Sequence, residues 1–284
     1  MKTSLIAVIG DVHHHIGLAV EGIERMESEL NRPVDQVFSV GDLGLFLDKS
    51  DWGFLTGPKK YRVPEESPEI CRAWKKWRWP LSAIAGNHEP FNRYRAWDAA
   101  YFSFRLEYTN AGELPHQLPD LRVAGLSGIY NPQQMEFVSA LEARTFNLSR
   151  GVSWTEMVWL AETNKISRSR LTYYKELEVE SLKAIGFTPH LLLLHDWPTA
   201  PTHISQIYPR RPEAEIVEAL RPEFVCCGHH HTASDFFCGP TRILTLNIIS
   251  RKDLIHRHFI CPGWSALFEW DGESLKFLQP WPMQ

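Results

Sequence analysis

The sequence has no Cys-x-x-Cys pair, although it holds five cysteines, at 71, 226, 227, 238 and 261. An odd count without paired spacing argues against a disulfide framework and against a thiolate-clasped zinc module. It fits a reducing, cytoplasmic setting, with Cys226-Cys227 as free thiols in a buried strand. No apolar run approaches the ~18 residues that a membrane helix needs, so no membrane association is expected. A basic excess is also missing. The net charge of −4 argues against a protein that grips long nucleic acid mainly by electrostatics. The opening MKTSLIAVIGDVHHH carries one lysine and a short apolar run but no small-residue cleavage site. It reads as a first core strand rather than a leader. Repeats, low-complexity tracts and clear linkers are absent, so a single domain over residues 1–284 is expected.

What is present is the balance of a soluble globular chain, 44% hydrophobic and 23% charged. Strands are predicted at 5–9, 36–40, 81–85, 121–126, 191–194 and 224–227, and helices at 16–30 and 213–220. Strand, helix and strand within the first forty residues make a βαβ unit and imply parallel pairing. Residues 132–187 read as mainly helical, with helices at 133–146, 154–163 and 173–185. The C-terminal part, 241–284, reads as β-rich, with strand 241–249 and a hairpin turning at Asp271-Gly272.

The chemistry lies where the apolar runs stop. Those before residues 10, 41, 86, 195 and 228 each end in Gly or His with a metal-type ligand. In open α/β sheets, ligands bind at the carboxyl ends of strands. The ends carry Asp11, His13, Asp42, Asn87, His88, His195, His229 and His231. In extended chain, His229 and His231 would project to one side. Carboxylate, imidazole and amide oxygen together suit Mn²⁺, Fe²⁺ or Zn²⁺, and the set exceeds what one ion needs.

The order GDVH (10–13), GD (41–42), GNHE (86–89), His195 and GHHH (228–231) resembles the motif set of the calcineurin-like metallophosphoesterases. That resemblance implies an α/β fold of two stacked mixed β-sheets flanked by helices, with the site at strand carboxyl ends. It further implies two divalent ions. Asp11, His13 and His231 would hold the first, and Asn87, His195 and His229 the second, with Asp42 bridging. His88 would protonate the leaving oxygen or steady the transition state. VAGLSGIY (123–130), SRSRLTYYKELEVESL (167–182) and HDWP (195–198) are similar to the RNA lariat debranching branch. That branch typically has Cys where this chain has Asp11, so its site chemistry does not carry over intact.

The expected function is therefore a metal-dependent hydrolysis of a phosphate ester, first a phosphodiester of a nucleotide or RNA. A phosphomonoester or phosphoprotein substrate comes second, and a catalytically silent scaffold of this fold third. No protein partner can be inferred. His14, His230 and Arg93 flank the motifs and are candidate substrate contacts. The Trp/Arg-rich run 72–79 reads as an amphipathic helix with buried tryptophans, in preference to a stacking surface for nucleic acid.

Overall fold

The computed structural model describes residues 3–46, 51–55, 74–95, 106–133, 153–198, 211–249, 260 and 262–281. The chain runs β1 (Ser4–Ile9), α1 (Ile16–Leu30), β2 (Gln36–Ser39), a 3-10 turn (Asp51–Phe54), β3 (Leu81–Ala83) and α2 (Phe91–Tyr94). Then follow β4 (Leu106–Tyr108), β5 (Ala111–Glu113), β6 (Val123–Leu126), α3 (Trp154–Glu162), a second 3-10 turn (Arg168–Thr172), α4 (Glu176–Lys183) and β7 (Leu191–Leu194). The last part holds α5 (Pro212–Leu220), β8 (Phe224–Cys227), β9 (Ser234–Cys238), β10 (Thr241–Thr245), β11 (Ser265–Trp270) and β12 (Leu275–Trp281).

Two six-stranded sheets result, ordered β12-β11-β1-β2-β3-β4 and β5-β6-β7-β8-β10-β9. In the first, β1 to β4 are parallel while β11 and β12 run antiparallel at one edge. In the second, β6, β7, β8 and β10 are parallel, with antiparallel strands at both edges. Both sheets are mixed, as the family resemblance implied. The predicted hairpin at Asp271-Gly272 joins β11 to β12.

The period-two alternation of strand side chains sorts the core into three layers. Ile6, Val8, Phe38, Val40 and Ile84 from the first sheet meet Val123, Leu191, Leu193, Cys226 and Leu244 from the second. The opposite face of the first sheet, with Leu5, Ala7, Ile9 and Val37, is covered by Ile16, Ala19, Ile23 and Met26 of α1 and by Met157 and Ala161 of α3. The outer face of the second, with Leu192, Leu194, Val225 and Cys227, packs on Val179 and Leu182 of α4 and Ile216 and Val217 of α5. Each fully buried aliphatic contributes roughly 1.5–3 kcal/mol. Strands covered on both faces read as unbroken apolar runs, which is why these were legible.

Some expectations change. The strand predicted over 241–249 ends at Thr245, because the chain there leaves β8 and crosses to the first sheet. Asn247 N–H donates to Gly263 O at 2.8 Å and Ile249 N–H to Asp11 O at 2.9 Å. After Trp74 the Trp/Arg run is turn and coil, not helix, as it feeds β3. Its tryptophans are nonetheless buried: Trp74, Trp77 and Trp79 join the layer outside the first sheet. Arg78 pairs with Glu24 and Glu27 of α1. Residues 134–152, with most of the predicted helix 133–146, lie outside the described residues, as do 72 and 73. The helix expected over 173–185 is α4, Glu176–Lys183, and the second 3-10 turn, Arg168–Thr172, lies before it. β4, β5 and β9 are short or exposed edge strands with little apolar alternation to announce them. Among the described residues, no helix is long and apolar enough to cross a membrane.

Candidate metal centre

β1, β2, β3, β7 and β8 deliver their following loops to one edge shared by the two sheets. Val12 and His13 N–H both donate to Asp42 O, at 3.0 and 2.8 Å, which ties the first loop to the second. His195 Nδ1, beyond β7, lies 2.8 Å from Val40 O, beyond β2, and so links the sheets. Glycine permits these approaches. A Cβ on Gly86 would stand 2.1 Å from Asp42 Oδ1, and one on Gly228 would stand 2.2 Å from Asp11 Oδ1.

The backbone is left-handed at His13 (φ 42°), Asp42 (φ 51°), His229 (φ 66°) and His231 (φ 51°). Such conformations are uncommon outside glycine and persist where the surroundings impose them, often at functional sites. They also replace the extended chain expected across GHHH. The two histidines do not share one direction but join two neighbouring groups of candidate ligands.

In the first group, His231 Nε2 lies 2.9 Å from Asp11 Oδ2 and 3.1 Å from His13 Nε2. In the second, Asn87 Oδ1 lies 2.9 Å from both His195 Nε2 and His229 Nδ1. Asp42 Oδ2 stands between them, 3.6 Å from His13 Nε2 and 3.5 Å from His195 Nε2. Asp11, His13 and His231 form one set that could hold an ion, and Asp11, Asp42 and His195 another.

The donor chemistry fits cations. Two neutral imidazole nitrogens facing each other cannot both be hydrogen-bond donors. With Nδ1 of His195 donating to the Val40 carbonyl, its Nε2 faces two oxygens, Asn87 Oδ1 at 2.9 Å and Asp42 Oδ2 at 3.5 Å. Ligands at ~2.1 Å from a common ion stand about 3.0–3.4 Å apart. The contacts near 3 Å have that spacing.

The electrostatics follow from burial and from the two aspartates. Burial opposes ionisation of Asp42, yet His195, His88 and His13 hold its carboxyl well below the usual range. Burial likewise works against charging His195, but Asp42, Asp11 and the Val40 carbonyl raise it to about 10. Burial pushes His13 and His229 down to about 4, so both are neutral imidazoles, the ligating form. His195 thus supplies the positive charge between the two carboxylates in the metal-free protein.

His88 sits between Asn87 and His13. Asn87 Nδ2 donates to His88 Nε2 at 2.9 Å, and the His88 ring lies 5.2 Å from that of His13. The His88 backbone N–H donates to Asp42 Oδ1 at 2.7 Å. His14 is buried, with Nδ1 2.6 Å from Gly44 O and its ring against Phe46 and Trp52. Arg93 Nε donates to Asp51 Oδ1 at 3.3 Å. His230 is half-buried, with Nε2 3.2 Å from Asp196 Oδ1.

Supporting residues emerge that motif reading did not assign. The fully buried Glu89 accepts from the N–H groups of Leu43 and Gly44, at 2.8 and 3.1 Å, and so pins the Asp42 loop. Burial and the nearby Asp42 push its carboxyl up to about 8. Arg211 grips Asp196 with two hydrogen bonds, at 2.9 and 3.0 Å, while Trp197 Nε1 donates to Gly228 O at 2.8 Å. Asp196, His229 and His230 lie close enough to hold an ion. The Arg211 guanidinium already neutralises that carboxylate, which makes the trio a brace for the GHHH loop. Glu89 and Asp196 were visible within GNHE and HDWP, whereas Arg211 has no local signal.

The chain is 21% identical over 278 residues to a lariat debranching enzyme of Entamoeba histolytica, covering 88% of this chain and 70% of that protein. It is 23% identical over 316 residues to the lariat debranching enzyme of Mus musculus, covering 96% of this chain but only 52% of the mouse protein. The expected likeness to the debranching branch is borne out. Among solved structures, TT1561 of Thermus thermophilus aligns with a TM-score of 0.45 and 12% identity, covering 98% of this chain and 99% of that one. The family model for calcineurin-like phosphoesterases matches residues 4–233, and this chain belongs to that family of metal-dependent phosphoester hydrolases.

Proposed function

We propose that the chain hydrolyses a phosphodiester of a nucleotide or RNA, using two divalent ions. Asp11, His13 and His231 hold the first ion, Asn87, His195 and His229 the second, and Asp42 belongs to both. The observation that carries this reading is the position of one carboxylate oxygen, Asp42 Oδ2, 3.6 Å from His13 Nε2 and 3.5 Å from His195 Nε2. When bound, a pair of such ions supplies charge that binds phosphate oxygens and activates water for in-line attack.

The chain's own groups do the rest. The hydrogen bond from Nδ1 of His195 to Val40 O aims Nε2 at the site, the outer contact that orients a ligating histidine. Glu89 holds the loop that presents Asp42. His88, beside His13 and not needed as a ligand, supplies the proton to the leaving oxygen. Asp11 takes the position where the debranching relatives typically carry Cys. A carboxylate in place of a thiolate favours the harder ions, Mn²⁺ and Fe²⁺, over Zn²⁺. The diester choice rests on the debranching relatives. The cytoplasmic setting is part of the same reading, supported by the buried free thiols of Cys226 and Cys227.

The test is a panel of para-nitrophenyl mono- and diesters, cyclic nucleotides and branched RNA, assayed with Mn²⁺, Fe²⁺ and Zn²⁺. Turnover of diesters above monoesters, greatest with Mn²⁺ or Fe²⁺, is the expected result. Preference for monoesters would overturn the diester reading. Metal binding without turnover of any ester would favour the scaffold.

A further inference from the structure

Beside the metal-site loops lies an aromatic stack that the chemistry above does not use. The residue after His13 is His14, whose ring meets those of Phe46 and Trp52 at centroid distances of 5.3 and 5.5 Å. Phe46 and Trp52 stack on each other at 5.1 Å with an interplanar angle of 23°. His14 and Phe46 are 6% and 3% exposed, whereas Trp52 is only half-buried. Part of its indole is therefore open to solvent.

The indole is held rigidly. Asp51 is fully buried and accepts from Asn92 Nδ2 at 2.9 Å and Arg93 Nε at 3.3 Å, which anchors the Asp51–Phe54 turn to α2. α2 itself starts two residues after Glu89. From the other side, Arg168 Nη1 donates to Gly53 O at 2.8 Å and its guanidinium lies 4.8 Å over the Phe54 ring. Trp52 is thus fixed to two of the loops that carry metal-type ligands. Among the described residues, the exposed aromatics Trp159 and Phe237 lack this connection. Trp159 sits on α3 beneath the Lys165 ammonium, and Phe237 is on the edge strand β9. The tryptophans of the 72–79 run that are described are buried.

We propose that the open face of Trp52 is the surface on which a nucleobase of the substrate stacks while its phosphodiester occupies the metal site. Trp52 is then a specificity residue, selecting nucleotide diesters over those without a base; this rests on the nucleotide reading above. A flat, preorganised ring costs little to order, and base–aromatic stacking is sequence-tolerant because every base has a π-face. Arg93 and Arg168 act here as braces of the turn.

The experiment is a double-mutant cycle between protein and substrate. Wild type, Trp52→Leu and Trp52→Phe are assayed for kcat/KM on diadenosine monophosphate, in 3′–5′ and 2′–5′ linkage, and on the singly abasic counterparts. Glycerophosphocholine serves as the diester without a base. Equilibrium binding of adenosine 5′-monophosphate is measured alongside. Removing the indole or the stacked base should each lower kcat/KM by about 5- to 150-fold, the scale of one stacking contact. Removing both should cost little more than removing either. Trp52→Phe should recover most of the loss, and Trp52→Leu should weaken adenosine 5′-monophosphate by a similar factor. Losses that multiply, or a leucine variant equal to wild type on the intact dinucleotides, would overturn stacking alone. Wild-type turnover of glycerophosphocholine with none of the dinucleotides would overturn the nucleotide reading and this proposal with it.

Discussion

A single methyl group at Gly228 tests whether Asp11 is a ligand. In Gly228→Ala the new Cβ would stand 2.2 Å from Asp11 Oδ1 and 3.0 Å from Val40 Cγ2. An ordinary carbon–oxygen contact is about 3.3 Å, so the carboxylate must retreat by roughly 1 Å. It has little room to do so. Asp11 is fully buried, both oxygens receive the His229 N–H, at 3.3 and 3.0 Å, and Oδ2 is 2.9 Å from His231 Nε2. Overpacking of this kind costs about 1–3 kcal/mol, which in a chain of 284 residues lowers Tm by about 2–5 °C. The fold should survive. Metal coordination tolerates only about ±0.2 Å, and displacing groups around a ligand typically costs 10- to 100-fold in affinity. Calorimetric titration with Mn²⁺ should therefore show one ion weakened by at least that factor and the other retained. Gly186→Ala, where a Cβ meets nothing within 4 Å, is the control. Wild-type affinity for both ions in Gly228→Ala, with Tm lowered as expected, would remove Asp11 from the ligand set.

Asp42→Ala should abolish binding of both ions, because the carboxylate contacts both groups; elemental analysis that finds two ions retained would refute the shared role. His88→Ala should keep both ions while hydrolysis falls about 10²–10⁴-fold, and the loss should shrink for para-nitrophenolate esters, which need little protonation. Loss of an ion, or equal slowing of good and poor leaving groups, would end the proton-donor assignment. In chelator, stability should fall as pH rises from 6.5 to 8. His195 is raised to about 10, and burial raises Glu89 and Glu213 to about 8. Each folded value is above its unfolded value, so each contribution is present at low pH and is lost as pH climbs through the folded value. His195 alone contributes a slope of roughly 1.4 kcal/mol per pH unit. Urea midpoints that rise over that window would contradict it. With metal bound beside Asp42 the slope should be shallower.

The candidate ligands were legible because each stands directly after an apolar run that is covered on both faces. The run located the strand, the glycine marked the approach, and the next residue was the chemistry. Legibility stopped where a residue acts across the fold. Arg211 meets Asp196 from fifteen positions away, and nothing near Arg211 in the sequence says that a buried carboxylate awaits it. Trp52 carries no sign that its neighbour in space is the residue after His13. The Trp/Arg run, expected to bury its tryptophans in preference to offering a stacking surface, does so. The described ones are core, because β3 begins at once and draws them under the first sheet. Periodicity also misjudged GHHH, where alternation presumes extended backbone and the chain is left-handed at His229 and His231.

That last departure bears on how the site is held. A left-handed non-glycine residue costs of order 1–3 kcal/mol, and four of the seven candidate ligands have that conformation. Their loops are also tied by groups that bind no ligand: Asp42 O takes two N–H bonds from the first loop, Glu89 takes two from the second, and Trp197 holds Gly228 O. The ties offset the strain, so the candidate ligands are held in position. Preorganisation of this kind makes metal affinity depend on residues that never touch metal. Glu89 and Trp197 are therefore the positions where a conservative change, Glu89→Gln or Trp197→Phe, should weaken the ions while leaving every candidate ligand in the sequence.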